Sequence, residues 1–357
     1  MKLGIIGLPG SGKTTVFRAL TGGKDPGETK GRQEPGLGVV MIEDERLDFL
    51  VDRYKPKKIT PVHVEYLDIA GLTGKAQLAR EVGDRVLAHI RPVDALIHCV
   101  RFFDSASLGP ATPLKDFRAV EEEIMLGDLS VIEKRIERID KDVKRGRKEL
   151  AEELGLLEQA KSLLDDGKPL RMFPPAVESE MLRGFGFLSA KPELILLKAG
   201  DDRDSDRIRV TVEELKTVVE GLPDVTADWI YADTEAEITR LEPGEAQEFL
   251  EELGLHETSK NRIARRSFGL LRLIVFFTVG DKEVRAWPLR TGENALSAAG
   301  TVHSDMQRGF IRAEVISFDD FRDAGSMAQA HKVGKVHLEG KEYIVRDGDI
   351  ILFRFNV

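Results

Sequence analysis

The sequence predicts a three-part α/β protein: a doubly wound parallel sheet, an antiparallel helical hairpin inserted into it, and a small mixed β domain of the β-grasp kind at the C-terminal end. Three observations carry this reading. Short apolar runs alternate with amphipathic stretches through the first half, apolar residues recur at spacings of three and four from Leu129, and β-rich runs joined by tight turns dominate from Leu273 onward.

Residues 3–6, 62–67, 95–100, 194–197 and 229–231 are short apolar runs bounded by turn residues. Strands buried on both faces and linked by helical crossovers read this way. The pattern stops between about residues 120 and 183. There Leu129, Ile132, Ile136, Ile139 and Val143 form a narrow seam among Glu, Lys and Arg, Gly146 breaks it, and Leu150, Leu154, Leu157 and Leu164 resume it. The hairpin ends at Asp166-Gly167-Lys168-Pro169. Residues 273–279 and 283–289 form a β-hairpin through Gly280-Asp281-Lys282, a helix is expected over 295–308, and further strands over 313–318, 343–345 and 350–355. The expected domains are 1–120 with 183–272, the hairpin 121–182, and 273–357.

A chain of 357 residues with 41 % hydrophobic and 32 % charged residues has ample core and is too long for a single small binding module. Its net charge of −9 argues against coating nucleic acid by bulk charge, although a local basic face is compatible with it. Cys99 is the single cysteine, so neither an internal disulfide nor a cysteine zinc cluster can form, and it is expected as a small buried residue in a core strand. The sequence opens on a strand-like run rather than a charged leader, and no run of about 18 apolar residues occurs. The expected compartment is the cytoplasm, with no membrane contact.

The chemistry is concentrated in Gly7-Leu8-Pro9-Gly10-Ser11-Gly12-Lys13-Thr14, a full G-x-x-x-x-G-K-[ST] match between a strand and a helix. Glycines at 7, 10 and 12 let successive amides turn toward a phosphate at a helix N-terminus, with Pro9, Ser11 and Thr15 in the same loop. Lys13 reaches the β and γ phosphates and stabilises the transferring group, and the Thr14 hydroxyl binds Mg²⁺. Asp68-Ile69-Ala70-Gly71-Leu72 ends the next long strand. There Asp68 can hold Mg²⁺ through water and the Gly71 amide can sense the γ phosphate.

With those motifs, the chain resembles the YchF, or Obg-like ATPase, family of P-loop NTPases. The resemblance extends to Pro35-Gly36-Leu37-Gly38-Val39-Val40, to Lys282-Glu283-Val284-Arg285-Ala286-Trp287, to Gly309-Phe310-Ile311-Arg312-Ala313-Glu314, and to the stretch from Glu339 to Val357. It implies a P-loop NTPase G domain, an inserted coiled coil and a C-terminal TGS domain. It further implies slow, Mg²⁺-dependent hydrolysis of ATP or GTP by a monomer that associates with the ribosome, at the large subunit and its RNA. Relatives outside the family carry a glutamine where this chain has Leu72, and an apolar residue cannot position water.

Three positions depart from the family pattern. The base-recognition N-x-x-E is replaced by Lys198-Ala199-Gly200-Asp201, so Lys198 and Asp201 are the candidate base contacts and the choice between ATP and GTP stays open. A switch threonine is replaced near Arg32, with Thr29 as the candidate substitute. The stretch 104–110 holds no histidine where many relatives have one. These gaps keep a second function class in play, a nucleotide-gated adaptor or ribosome-binding switch with little turnover.

Two basic clusters are candidate partner surfaces. Lys134, Arg135, Arg138, Lys141, Lys144, Arg145, Arg147 and Lys148 crowd the hairpin tip among five acids, which fits either a solvated ion-paired helix or an RNA-facing one. Arg262, Arg265, Arg266 and Arg272 read as a surface helix against the G domain or as a second RNA contact. The seven histidines form no H-x-x-x-H pair, so histidine metal ligation is not expected.

Overall fold

A computed structural model describes residues 1–23, 36–68, 90–144, 146–200, 204–238, 241, 244–246, 248 and 258–356. The chain divides into two compact units, Met1–Val40 with Glu65–Leu270, and Met41–Val64 with Leu271–Val357.

The first unit is built on strands β1 (Lys2–Ile6), β2 (Gly36–Met41), β4 (His63–Asp68), β5 (Ala95–Phe102), β6 (Glu193–Ala199) and β7 (Val225–Ile230), in the order β2-β4-β1-β5-β6-β7. β1 pairs in parallel with both β4 and β5, β5 with β6, and β6 with β7. Every residue of β5 and β6 is buried, as expected of strands covered on both faces. The strand order reverses at β1, and a sheet of this kind opens a crevice at the carboxyl ends of the strands where it reverses. β1 delivers the glycine-rich loop to that crevice.

Helices α1 (Lys13–Thr21), α3 (Pro113–Lys144), α4 (Ala151–Asp165), α5 (Pro174–Glu178), α6 (Glu180–Arg183), α7 (Ser205–Val218), α8 (Ala232–Ile238) and α9 (Ser259–Leu270) complete this unit, and α2 (Glu45–Tyr54) falls in the second. α3 and α4 form the expected hairpin. Ile132, Ile139, Leu157 and Leu164 are buried in its seam, with Leu129, Ile136, Val143, Leu150 and Leu154 packed against them. Between the helices Gly146 has φ +102°, a left-handed conformation that suits glycine. Ion pairs Arg135–Glu153 at 2.7 Å and Lys161–Glu133 at 2.7 Å bridge the two helices.

The foot of the hairpin is fixed by buried polar groups. Asp128 accepts from the Leu188 and Ser189 amides, at 3.1 and 2.8 Å, and from the Ser189 hydroxyl at 2.8 Å. Arg91 lies 3.4 Å from the same carboxylate. Beside it, Arg171 donates to Glu193 at 2.6 Å and to Glu121 at 3.3 Å, and Glu193 also meets His98 Nδ1 at 2.8 Å. Arg171 holds Glu193 well below the usual carboxylate range, whereas burial drives Glu121 upward.

In the second unit the strand order is β11 (His337–Glu339), β10 (Phe310–Ser317), β12 (Asp349–Phe355), β8 (Leu273–Thr278), β9 (Glu283–Arg290) and β3 (Lys58–Thr60). Helices α10 (Ala295–Val302), α11 (Ser304–Arg308), α12 (Phe318–Ala324) and α13 (Met327–Lys332) accompany it. Phe276, Trp287, Phe310 and Phe353 form the aromatic centre of its core. Two expectations need correction. The single helix over 295–308 breaks at His303, whose ring nitrogen caps α11 by accepting from the Asp305 amide. No strand forms over 343–345, where Ile344 makes only an isolated bridge to Asn294 because Asp349 holds the Tyr343 hydroxyl and the Arg346 amide in a turn.

The foot of the hairpin yields a stability prediction. Asp128→Ala leaves two buried amides without their acceptor and Arg91 without its carboxylate, and the expected loss is about 3 kcal/mol, read as a lower urea midpoint. A loss below about 0.5 kcal/mol would show that this carboxylate does not anchor the foot.

Candidate functional site

The loop between β1 and α1 is shaped by what its glycines permit. Gly7, Gly10 and Gly12 have φ of +145°, +78° and +92°. A Cβ at Gly7 would collide with the Cys99 carbonyl, and one at Gly10 would sit 2.5 Å from the Leu108 side chain. Gly12 precedes α1 and supplies no side-chain cap to the first-turn amides of that helix. An anion is the natural partner for such amides.

Lys13 is buried, and its Nζ donates to the Gly7 and Leu8 carbonyls, each at 2.9 Å. Burial lowers its pKa, only partly offset by Cys99 and Asp68. The Thr14 hydroxyl donates to Asp68 at 2.9 Å, joining the first turn of α1 to the end of β4 across 54 residues of sequence. Burial raises the Asp68 carboxyl, while the Thr14 hydroxyl and Lys13 pull it back. Thr15, one residue on, is half-buried. A hydroxyl and a carboxylate side by side are the oxygen donors that Mg²⁺ favours, so this pair fits that ion.

Behind the loop, the Cys99 thiol donates to the Ser11 carbonyl at 3.2 Å, and burial pushes its pKa up to about 11. Cys99 is therefore a packed thiol, as its place in a core strand led us to expect.

Lys198, at the end of β6, comes to the loop with its stem 3.2 to 3.3 Å from where a Cβ of Gly12 would stand. Its ammonium pairs with Asp233 and lies 4.1 Å from the centre of the Phe103 ring. Sequence reasoning named Lys198 but missed both partners. Asp233 was detectable as an acid in the first turn of the helix following the last strand of the sheet. Gly71, Leu72, Asp201, Thr29 and Arg32 lie outside the described residues.

The stretch 103–112 after β5 is clamped by Arg101, which donates to the carbonyls of Phe103, Gly109 and Pro110 at 2.8 to 2.9 Å. Among the basic clusters, Arg262 and Arg266 both engage Asp228, and Arg262 also donates to the Trp229 carbonyl. In the hairpin, Lys141 pairs with Glu137 and Lys144 with Asp140. Lys134 and Arg138 are exposed and have no ion pair among the described residues. His98, Glu121 and Glu193 lie close enough together to suggest a metal site, but Arg171 already supplies the cation there. No helix among the described residues is long and apolar enough to cross a membrane.

Comparison with known proteins gives a concordant result. Residues 2–145 match the family described as 50S ribosome-binding GTPase, and residues 273–356 match the YchF-GTPase C-terminal family, described as a protein of unknown function (DUF933). The chain is 38 % identical over 362 residues to the ribosome-binding ATPase YchF of Bacillus subtilis, covering 99 % of each chain. It is 34 % identical over 365 residues to the Obg-like ATPase 1 of Oryza sativa subsp. japonica, covering 100 % of this chain and 92 % of that one. The solved structure of the Schizosaccharomyces pombe YchF GTPase matches with a TM-score of 0.82 at 30 % identity, over 99 % of this chain and 97 % of that chain.

Among the described residues Lys13 is a buried cation whose hydrogen bonds go to carbonyls, and it carries a cost to folding that a ligand would offset. Lys13→Met is expected to raise the thermal midpoint of the ligand-free protein, by on the order of 1 kcal/mol, while abolishing the thermal shift produced by Mg²⁺-nucleotide. A lower midpoint would count against this view of the site.

Proposed function

The chain belongs to the YchF family of P-loop ATPases, and from that premise we propose that it binds a nucleoside triphosphate with Mg²⁺, hydrolyses it slowly, and associates with the ribosome in a nucleotide-dependent way. The observation that carries the nucleotide reading is the convergence of the Gly7–Gly10–Gly12 curl, the Lys13 ammonium and the Thr14–Asp68 hydrogen bond at the carboxyl ends of β1 and β4.

In this reading the loop amides hold the phosphates and Lys13 moves from its carbonyl partners to the β and γ phosphates. Thr14 and Asp68 hold Mg²⁺, which when bound would offset charge on the phosphate oxygens. Water attacks the γ phosphorus as its bond to the bridging oxygen breaks, leaving the diphosphate and inorganic phosphate. Leu72 offers no group to orient that water, which accounts for slow turnover, and Gly71 is assigned the γ-phosphate contact. Lys198 and Asp201 are assigned to the base. The pairing of Lys198 with Asp233 supports a site that differs from an asparagine-based one, and the relatives' names include both ATPase and GTPase.

We place the ribosomal contact on the large subunit and its RNA, made by a monomer in the cytoplasm. The description of the matched family as 50S-binding supports the subunit, and the exposed Lys134 and Arg138, which have no ion pair among the described residues, support RNA contact from the hairpin. The domains are assigned as G domain 1–120 with 183–272, coiled coil 121–182 and TGS domain 273–357. The adaptor reading rests on Leu72 and on the histidine-free stretch 104–110.

Purified protein should release phosphate from ATP or GTP only with Mg²⁺, and Lys13→Ala should lower that rate at least about 100-fold. Tight nucleotide binding with no release above background would replace the enzyme by the adaptor. Thr14→Ala and Asp68→Asn should each raise the Mg²⁺ concentration needed for half-maximal binding of the triphosphate. Ribosome co-sedimentation should respond to nucleotide, and indifference to both nucleotide and Lys13→Ala would reject the gated mechanism.

A further inference from the structure

The phosphate loop fixes the direction in which a bound nucleotide would run. The Thr14–Asp68 pair lies on the β4 side of the loop, and an ion held there would meet the β and γ phosphates. The nucleoside end then extends the other way, across the strands that follow β1 in the sheet order, β5, β6 and β7. Phe103 follows the end of β5, Lys198 is the last residue but one of β6, and Asp233 stands just past β7. All three sit at the carboxyl ends of those strands, where an open sheet of this kind takes its ligands.

Lys198 does not present its charge to a ligand. Its side chain is 7 % exposed, its stem runs beside Gly12, and its ammonium is shared between the Phe103 ring and Asp233 Oδ2. The Asp233 side chain is 48 % exposed, and its second oxygen, Oδ1, has no hydrogen bond or ion pair among the described residues. The two charges cancel, which suits an uncharged base better than a phosphate. The group exposed at this corner is a carboxylate, an acceptor held one lysine side chain away from the loop.

We propose that Asp233 is a base-specificity residue of this chain: Lys198 fixes one carboxylate oxygen, and the other accepts an N–H from an exocyclic amino group of the purine. This role presupposes that the chain binds a nucleoside triphosphate, as proposed above, and adds the residue through which the base is chosen. Adenine carries its amino group at the six-position and guanine at the two-position, whereas an oxo group or a bare ring carbon offers no proton. A base without the amino group leaves the free carboxylate oxygen desolvated and without a donor.

The test compares two pairs of Mg²⁺-nucleotides on the full chain by calorimetry: ATP against purine riboside triphosphate, and GTP against inosine triphosphate, each pair differing by one amino group. In at least one pair the amino-bearing member is expected to bind about 10-fold more tightly, and the pair that shows the gap names the base. In Asp233→Asn, the amide oxygen keeps the bond from Lys198 and the amide nitrogen, a donor, faces the base. The gap should therefore close while the triphosphates still bind. Should that variant fail to fold, Asp233→Ser, which removes the second oxygen, is expected to close the gap in its place. No gap in either pair with the unaltered chain, or a gap that persists in a folded variant, overturns the role of Asp233. Failure of all four triphosphates to bind overturns the nucleotide reading itself.

Discussion

The structure of the first unit turns on one backbone constraint: between β1 and α1 the chain must curl so that its amides face a common point. Gly7, Gly10 and Gly12 have positive φ, and the Cys99 carbonyl leaves no room for a side chain at Gly7. Cys99 closes the curl from behind, Leu108 covers it and Lys198 runs beneath Gly12. Lys13 and Thr14 follow with fixed directions, so the Gly-Lys-Thr order in the sequence becomes a cation above the loop and a hydroxyl against Asp68.

Rigid placement of that curl requires a rigid sheet, and the sheet must also carry a long helical arm. The two demands meet at the foot of the hairpin, where Arg171 ties Glu193 of β6 to Glu121 of α3, and Asp128 ties α3 to the Leu188–Ser189 backbone. Losing Arg171 would strand the Glu193 carboxylate in a low-dielectric interior, and losing Asp128 would leave two amides without their acceptor, so these groups hold one another in a single arrangement. His98 is part of this network through Glu193 and lines a cavity beside the phosphate loop. The arm and the loop are thus joined through contiguous contacts.

Legibility in the sequence follows the distance over which the physics acts. The phosphate loop was readable because its glycines, lysine and threonine lie within eight consecutive residues, and the hairpin because a three-four seam repeats locally. Phe103 and Asp233 escaped because each reaches Lys198 only once the strand before it, β5 or β7, has paired with β6. The residues from Met41 to Val64 gave no sign of grouping with the C-terminal unit, since β3 finds its partner β9 more than 220 residues away and Arg46 finds Asp347. The strand expected over 343–345 failed for the opposite reason: its short apolar run was real, but Asp349 recruits the Tyr343 hydroxyl and the Arg346 amide into a turn.

Buried polar groups separate the site from its scaffold. Asp128 has three donors and Arg91 beside it, and Arg171 has two carboxylates and the Ser189 carbonyl, so each is satisfied by the protein itself. Such groups make structure. Around the glycine-rich loop the accounts stay open among the described residues: Lys13 hydrogen-bonds carbonyls and Asp68 a hydroxyl, with no direct ion pair between them, and the Ser11 hydroxyl has no partner. Folding alone has no reason to keep under-satisfied groups in a dry interior, because apolar residues of the same size would be less costly. Lys13, Asp68 and Ser11 sit within one loop and the strand ends beside it, and the glycine-rich motif falls in the same place.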